Sequence, residues 1–173
     1  MIYATNDKHW TALHEAAAGG HIEVVEVLLA RGARIDATND DVWTALHEAA
    51  AGGHSKVVKV LLDRGAKIDN PNNFEWTALH AAAAREHIEV VRVLLDTGAS
   101  IDARDVDKET ALHAAAARRH IESVKLLLDR GANIDWKNSR GETALDIACK
   151  LGWERGVGLL TAHMQAKSVE RAP

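Results

Sequence analysis

The stretch Trp10-Thr11-Ala12-Leu13-His14 returns unchanged as Trp43–His47 and Trp76–His80, then in altered form as Glu109–His113 and Glu142–Asp146. The threonines Thr11, Thr44, Thr77, Thr110 and Thr143 therefore stand 33 residues apart. Gly-Ala at Gly32, Gly65, Gly98 and Gly131 and Ile-Asp at Ile35, Ile68, Ile101 and Ile134 keep the same interval without insertion. A fixed period of this size means a stacked array in which each unit meets only its neighbours.

One unit shows why it must stack. After Thr11, the apolar positions Leu13, Ala16 and Ala17 suit one face of a short helix that Gly19-Gly20 ends. Ile22, Val24, Val25, Val27, Leu28 and Leu29 then form a second helix before Arg31-Gly32. The Asp-, Asn- and Thr-rich segment that follows reads as an extended turn. Alanine on the first helix permits close packing, and the second helix supplies the bulk. Helices of about ten residues do not persist alone in water.

Thr-Ala-Leu-His, Ala-Ala, Gly-His, Val-Val-x-Val-Leu-Leu and Arg-Gly-Ala, in that order at this period, resemble ankyrin repeats over residues 2–163. The resemblance implies an all-α repeat solenoid, with helix-turn-helix units joined by extended hairpin-like loops. The units are 6–38, 39–71, 72–104, 105–137 and 138–163, within one domain spanning 1–163. The chain departs from the family at two places. Ala12, Ala45, Ala78, Ala111 and Ala144 replace the usual proline after threonine. His9, Val42, Glu75 and Lys108 replace the usual glycine at the hairpin tip, which survives as Gly141. A non-glycine residue in a left-handed turn costs on the order of 1–2 kcal/mol, so either these tips carry strain or the turn differs. The departures weigh against an idealised consensus design.

The ends differ from the middle. Ile2–Asp7 aligns with Ile35–Asp40, so the chain starts inside a unit, and a longer array upstream is expected. In the last unit Gly156 stands for Val24, Gly158 for Glu26 and Thr161 for Leu29. That pattern reads as a C-terminal cap, with residues 164–173 expected to form a disordered tail. Leu13, Ile22, Val25 and Leu28 belong to a first unit built to be covered on both sides, so fraying or self-association through that open face is expected.

Net charge is −4, and every apolar run is broken before membrane-spanning length. The expected setting is the cytoplasm or nucleus, away from membranes. Cys149, the single cysteine, takes the place of the second alanine of Ala-Ala and reads as a small buried residue. A net-negative chain with only Arg118-Arg119 as a local basic spot disfavours nucleic acid.

Eight of the ten histidines occupy repeat positions: His14, His47, His80 and His113, and His21, His54, His87 and His120. His14 and His21 lie about 10 Å apart along a helix at 1.5 Å per residue, too far to share an ion, and Gly19-Gly20 interrupts that helix. No nucleophile elbow, phosphate loop or dinucleotide turn is present. The expected function is therefore noncatalytic, with no catalytic residue, metal or cofactor.

The resemblance implies a protein partner held on the concave face by the hairpin tips and the exposed side of the first helices. Carried onto this chain, the candidate tip residues are Asp7, Lys8 and Trp10; Asp40, Asp41 and Trp43; Asn73, Phe74 and Trp76; Asp107 and Glu109; and Arg140. The helix candidates are Arg85 and Arg118. Trp10, Trp43 and Trp76 fill one slot in consecutive units and form either an aromatic anchor row or packing against the neighbouring hairpin. Farther along, Arg85, Arg118, Arg119 and Lys150 suggest a partner with an acidic patch beside an apolar one, and Glu86 is placed to pair with Arg119. The alternative role is a spacer or self-assembly segment of a larger receptor or scaffold.

Overall fold

The computed structural model describes residues 5–170, with side chains through Lys167. Among the described residues there are ten helices and no strand, apart from an isolated antiparallel bridge between Thr5 and Thr11. The helices come in pairs: α1 (Ala12–Ala18) with α2 (Ile22–Ala30), α3 (Ala45–Ala51) with α4 (Ser55–Asp63), α5 (Ala78–Ala83) with α6 (Ile88–Asp96), α7 (Ala111–Ala117) with α8 (Ile121–Asp129), and α9 (Ala144–Lys150) with α10 (Glu154–Glu170). First helices stack on first helices and second on second, pair after pair.

Each first helix starts at its threonine. The Thr side chain caps the helix and the residue three positions on reaches back, a reciprocal arrangement made by histidine in four units and by Asp146 in the last. The histidine Nδ1 accepts the Thr N–H at 3.1–3.2 Å. An N–H can only donate, so Nδ1 is bare and the proton sits on Nε2. That Nε2–H donates to the main-chain carbonyl of the next unit: His14 to Trp43 at 2.9 Å, His47 to Trp76 at 3.0 Å, His80 to Glu109 and His113 to Glu142 at 3.2 Å.

A second histidine series points the other way. His54, His87 and His120 donate from Nε2 to Ala18, Ala51 and Ala84 of the preceding unit at 2.8–3.1 Å. The rings of His54 and His87 lie over the preceding Gly-Gly turns, where a Cβ on Gly20 would come within 2.5 Å of His54; before His120 the same place is taken by Arg85-Glu86. Between these bonds runs a continuous core of Leu13, Leu46, Leu79 and Leu112 with Leu61, Leu94 and Leu127, all closely packed against alanine.

The two ends correct three expectations. Helix α10 continues to Glu170, so the expected tail from residue 164 is helical over 164–170; residues 171–173 lie outside the described range. Gly156 has a packing reason: a Cβ there would run into the indole of buried Trp153, which occupies the slot of the second-series histidines. Cys149 is exposed rather than buried. In earlier units the next first helix covers that alanine, and among the described residues α9 packs against no further first helix.

At the opposite end Leu13 and Val25 are already buried by the second unit. The uncovered apolar side chains are instead Val24 and Val27, 49 % and 53 % exposed, against 1 % for Val57, the equivalent of Val24. Helix α2 buries Val25 alone, whereas α4 buries Val57, Val58 and Leu61. Amide hydrogens in α2 are accordingly expected to exchange faster than those in α4. Equal protection in a strictly monomeric sample would show that the exposed valines do not weaken the first unit.

The histidine ladder sets the pH response. Burial holds His14, His47, His80 and His113 below the usual imidazole range, despite the accepting carbonyls. The unfolded chain thus binds more protons near pH 6, so stability rises with pH there. It is fully present above about 6.5 and falls as pH drops below it. Glu48, raised by burial to about 7, acts in the opposite sense, as one carboxyl against four imidazoles. The urea midpoint should fall between pH 7 and 5, and a flat profile would mean that the ladder tolerates protonation.

Candidate functional site

The loop before each first helix is built by the residue that opens the unit. Asn39 closes its hairpin with N–H to the Trp43 carbonyl, and its Oδ1 accepts the N–H groups of Asp41 and Trp43 at 3.0 and 2.9 Å. Asn72 does the same for Phe74 and Trp76, Asp105 for Asp107 and Glu109, and Asn138 for Arg140 and Glu142. These four are buried. They are not among the residues expected from the resemblance, although Asn or Asp recurs at this place at a 33-residue interval in the sequence.

The turn at the tip is the left-handed one after all. His9, Val42, Glu75 and Lys108 have φ of 56–60°, and Gly141 has φ 76°. Neighbouring tips are tied through their backbones: Asp40 N–H to Lys8, Asn73 to Asp41, Val106 to Phe74 and Ser139 to Asp107, at 2.7–3.4 Å. The result is a row of fixed tips along one side of the array.

Trp10, Trp43 and Trp76 are half-buried, each with its ring 5.6–6.0 Å from that of its own ladder histidine. The Trp76 indole N–H also donates to Asp105 Oδ2 at 2.8 Å. Trp10, Trp43 and Trp76 are thus partly packing residues that show an edge. Phe74 and Val106 stand clear, 59 % and 52 % exposed.

Three consecutive tips enclose a cleft of about 510 Å³, walled by Trp43, Phe74, Trp76 and Val106 and edged by Asp41, Asp105, Asp107 and Glu109. Of the sequence candidates it brings together Asp41, Trp43, Phe74, Trp76, Asp107 and Glu109. Lys8, Trp10, Asp40 and Asp41 line a smaller depression of about 240 Å³. Asp7 lies exposed on the first tip, Asp40 pairs with His9 at 2.6 Å, and the Asn73 amide donates to the Asp40 carbonyl at 3.3 Å.

Beyond the cleft, charge is largely consumed internally. Arg140 joins Glu109 at 3.0 Å and Glu142 at 2.8 Å, and Lys150 also pairs with Glu142. Hydrogen bonds from Arg140, Lys150 and Asn138 hold the Glu142 carboxyl down at about 2. Arg119 donates to the Leu151 carbonyl instead of meeting Glu86, which contacts His120 at 3.3 Å. Arg85 and Arg118 are exposed at the ends of their helices and line no part of the cleft. The expected basic patch is therefore thinner than the residue count suggests.

No group of three or more His, Cys, Asp or Glu is arranged to hold a metal among the described residues, and no described helix is long and apolar enough to cross a membrane.

Comparison with protein families matches these residues to ankyrin repeats. Three copies of a multi-repeat model cover residues 34–105, 68–138 and 101–170, and a single-repeat model covers 8–40. The chain belongs to the ankyrin-repeat family, whose members are generally protein-interaction modules. Comparison with curated proteins gives no match.

Val42 tests the strain at the tips. Releasing a β-branched residue from φ 58° gains about 1–2 kcal/mol, and glycine returns about 0.5–1 kcal/mol in unfolded-state entropy. Val42→Gly should raise stability by up to about 1 kcal/mol in urea melts, whereas a loss would show that the valine side chain holds the tip in place.

Proposed function

We propose that this array is a noncatalytic protein-recognition module that grips a partner along its concave side, through the hairpin tips and the exposed ends of the first helices. The observation that carries this reading is the placement of Phe74 and Val106. Two large apolar side chains project into solvent from tips that buried Asn72 and Asp105 hold in shape. Rigid exposed aromatic and aliphatic groups are what interface cores are made of. The non-glycine tips fit the same reading, since backbone strain tends to gather where a side chain is wanted.

A second reading is favoured by Val24 and Val27, which leave an apolar strip at the opposite end. On that reading the five units act as a spacer or self-assembly segment joined end to end.

The two separate in one experiment. Immobilised protein is offered a cell extract, and retained proteins are compared for Phe74→Ser with Val106→Ser and for Val24→Lys with Val27→Lys. Tip substitution should weaken capture by roughly 30-fold, the equivalent of a lost hot spot of about 2 kcal/mol, while the end substitutions leave it intact. If instead only the end substitutions matter, and they turn an oligomer into a monomer, the spacer reading holds.

A further inference from the structure

Resting on the recognition reading above, we infer that the cleft across the second, third and fourth tips accepts an arginine side chain, flanked by aliphatic residues, from an extended segment of the partner.

Its volume of about 510 Å³ falls among sites that admit a few side chains rather than a folded element. The walls of Trp43, Phe74, Trp76 and Val106 are apolar, and no lysine or arginine lines the cleft. The four carboxylates at its edge are not equivalent. Asp105 is saturated, with one oxygen accepting the N–H groups of Asp107 and Glu109 and the other the Trp76 indole. Glu109 is held by Arg140 and Asn138. Asp41 and Asp107 are exposed and enter none of the ion pairs among the described residues.

Two carboxylates left outside those ion pairs, beside aromatic walls, define the occupant. A purely apolar segment would draw those carboxylates out of water uncompensated, and an acidic one would add repulsion. A guanidinium satisfies both demands, stacking on an aromatic face while its N–H fork meets carboxylate oxygens. The molecule makes this contact once itself: Arg104 lies over the Trp136 ring, 4.7 Å from its centroid. Phe74 and Val106 sit on adjacent tips joined backbone to backbone, which gives aliphatic neighbours of the arginine a surface to cover. The tip cleft thus favours a basic-apolar partner, opposite to the acidic one that the helix-end arginines suggested.

The test uses three blocked octapeptides alternating leucine with arginine, with its neutral isostere citrulline, or with glutamate. Each is titrated into the isotopically labelled protein while backbone amide shifts are followed. The arginine peptide should shift amides at 41–43, 72–76 and 105–109. It should bind about 10-fold tighter than the citrulline peptide at low salt and lose that margin as salt rises, while the glutamate peptide binds least. Asp41→Asn with Asp107→Asn should erase the margin without weakening the citrulline peptide. Neither carboxylate accepts a hydrogen bond or enters an ion pair among the described residues, and Asp107 only adds to the field at Arg140, so thermal melts of that variant should stay close to the parent.

Equal affinity for arginine and citrulline peptides would overturn the inference, as would binding of none of the three. Shifts confined to the helix ends near Arg85 and Arg118 would also overturn it while leaving recognition on this side of the array standing. Cleft shifts that appear on concentration without peptide would name a second copy as the occupant and overturn it likewise. Partner capture insensitive to Phe74→Ser with Val106→Ser, alongside normal arginine-peptide binding, would sink the broader recognition reading alone.

Discussion

One neutral imidazole per junction holds this array together. Each ladder histidine accepts the N–H of its own helix-capping threonine and donates to a carbonyl of the next unit, so a single side chain both starts a helix and sets the spacing to its neighbour. It works because it is buried: an unpaired carbonyl or N–H at that depth would cost about 1–3 kcal/mol, and water cannot substitute. The same burial restricts the ring to one proton. The returning bonds from His54, His87 and His120 double the link at the first three junctions, so those units are tied in both directions.

The hairpin row depends on that spacing. Because successive first helices are fixed in register, successive tips come close enough to bond backbone to backbone, and opening Asn or Asp residues spend their side chains shaping the turns. Phe74 and Val106 at the tips are then free of structural duty. Left-handed residues at His9, Val42, Glu75 and Lys108 show that the turn geometry is imposed from outside the tip, against local preference.

Chemistry along the row divides into two zones. Around Phe74 and Val106 the surface is apolar with carboxylates outside ion pairs; around Arg140 it is a closed network in which Arg140 and Lys150 neutralise Glu109 and Glu142. Exposed surface charge that is already paired contributes little to attracting a partner, so the zone that keeps carboxylates outside ion pairs is the more directive one.

The sequence by itself determined the repeat, the two helices per unit, the family and the places where units differ, because periodicity and capping residues are local and act through spacing alone. It did not reveal that the tryptophans lean on their own histidines, that Cys149 is exposed, that α10 runs on to Glu170, or that Val24 and Val27, rather than Leu13 and Val25, form the bare end. Nor could it say which charges are spent. Those outcomes depend on what stacks against a residue from a neighbouring unit, and identical residues at equivalent positions meet different surroundings at the ends and in the middle. Arg119 and Glu86 make the point: their spacing suggested a pair, but a nearer carbonyl and a nearer imidazole took each of them.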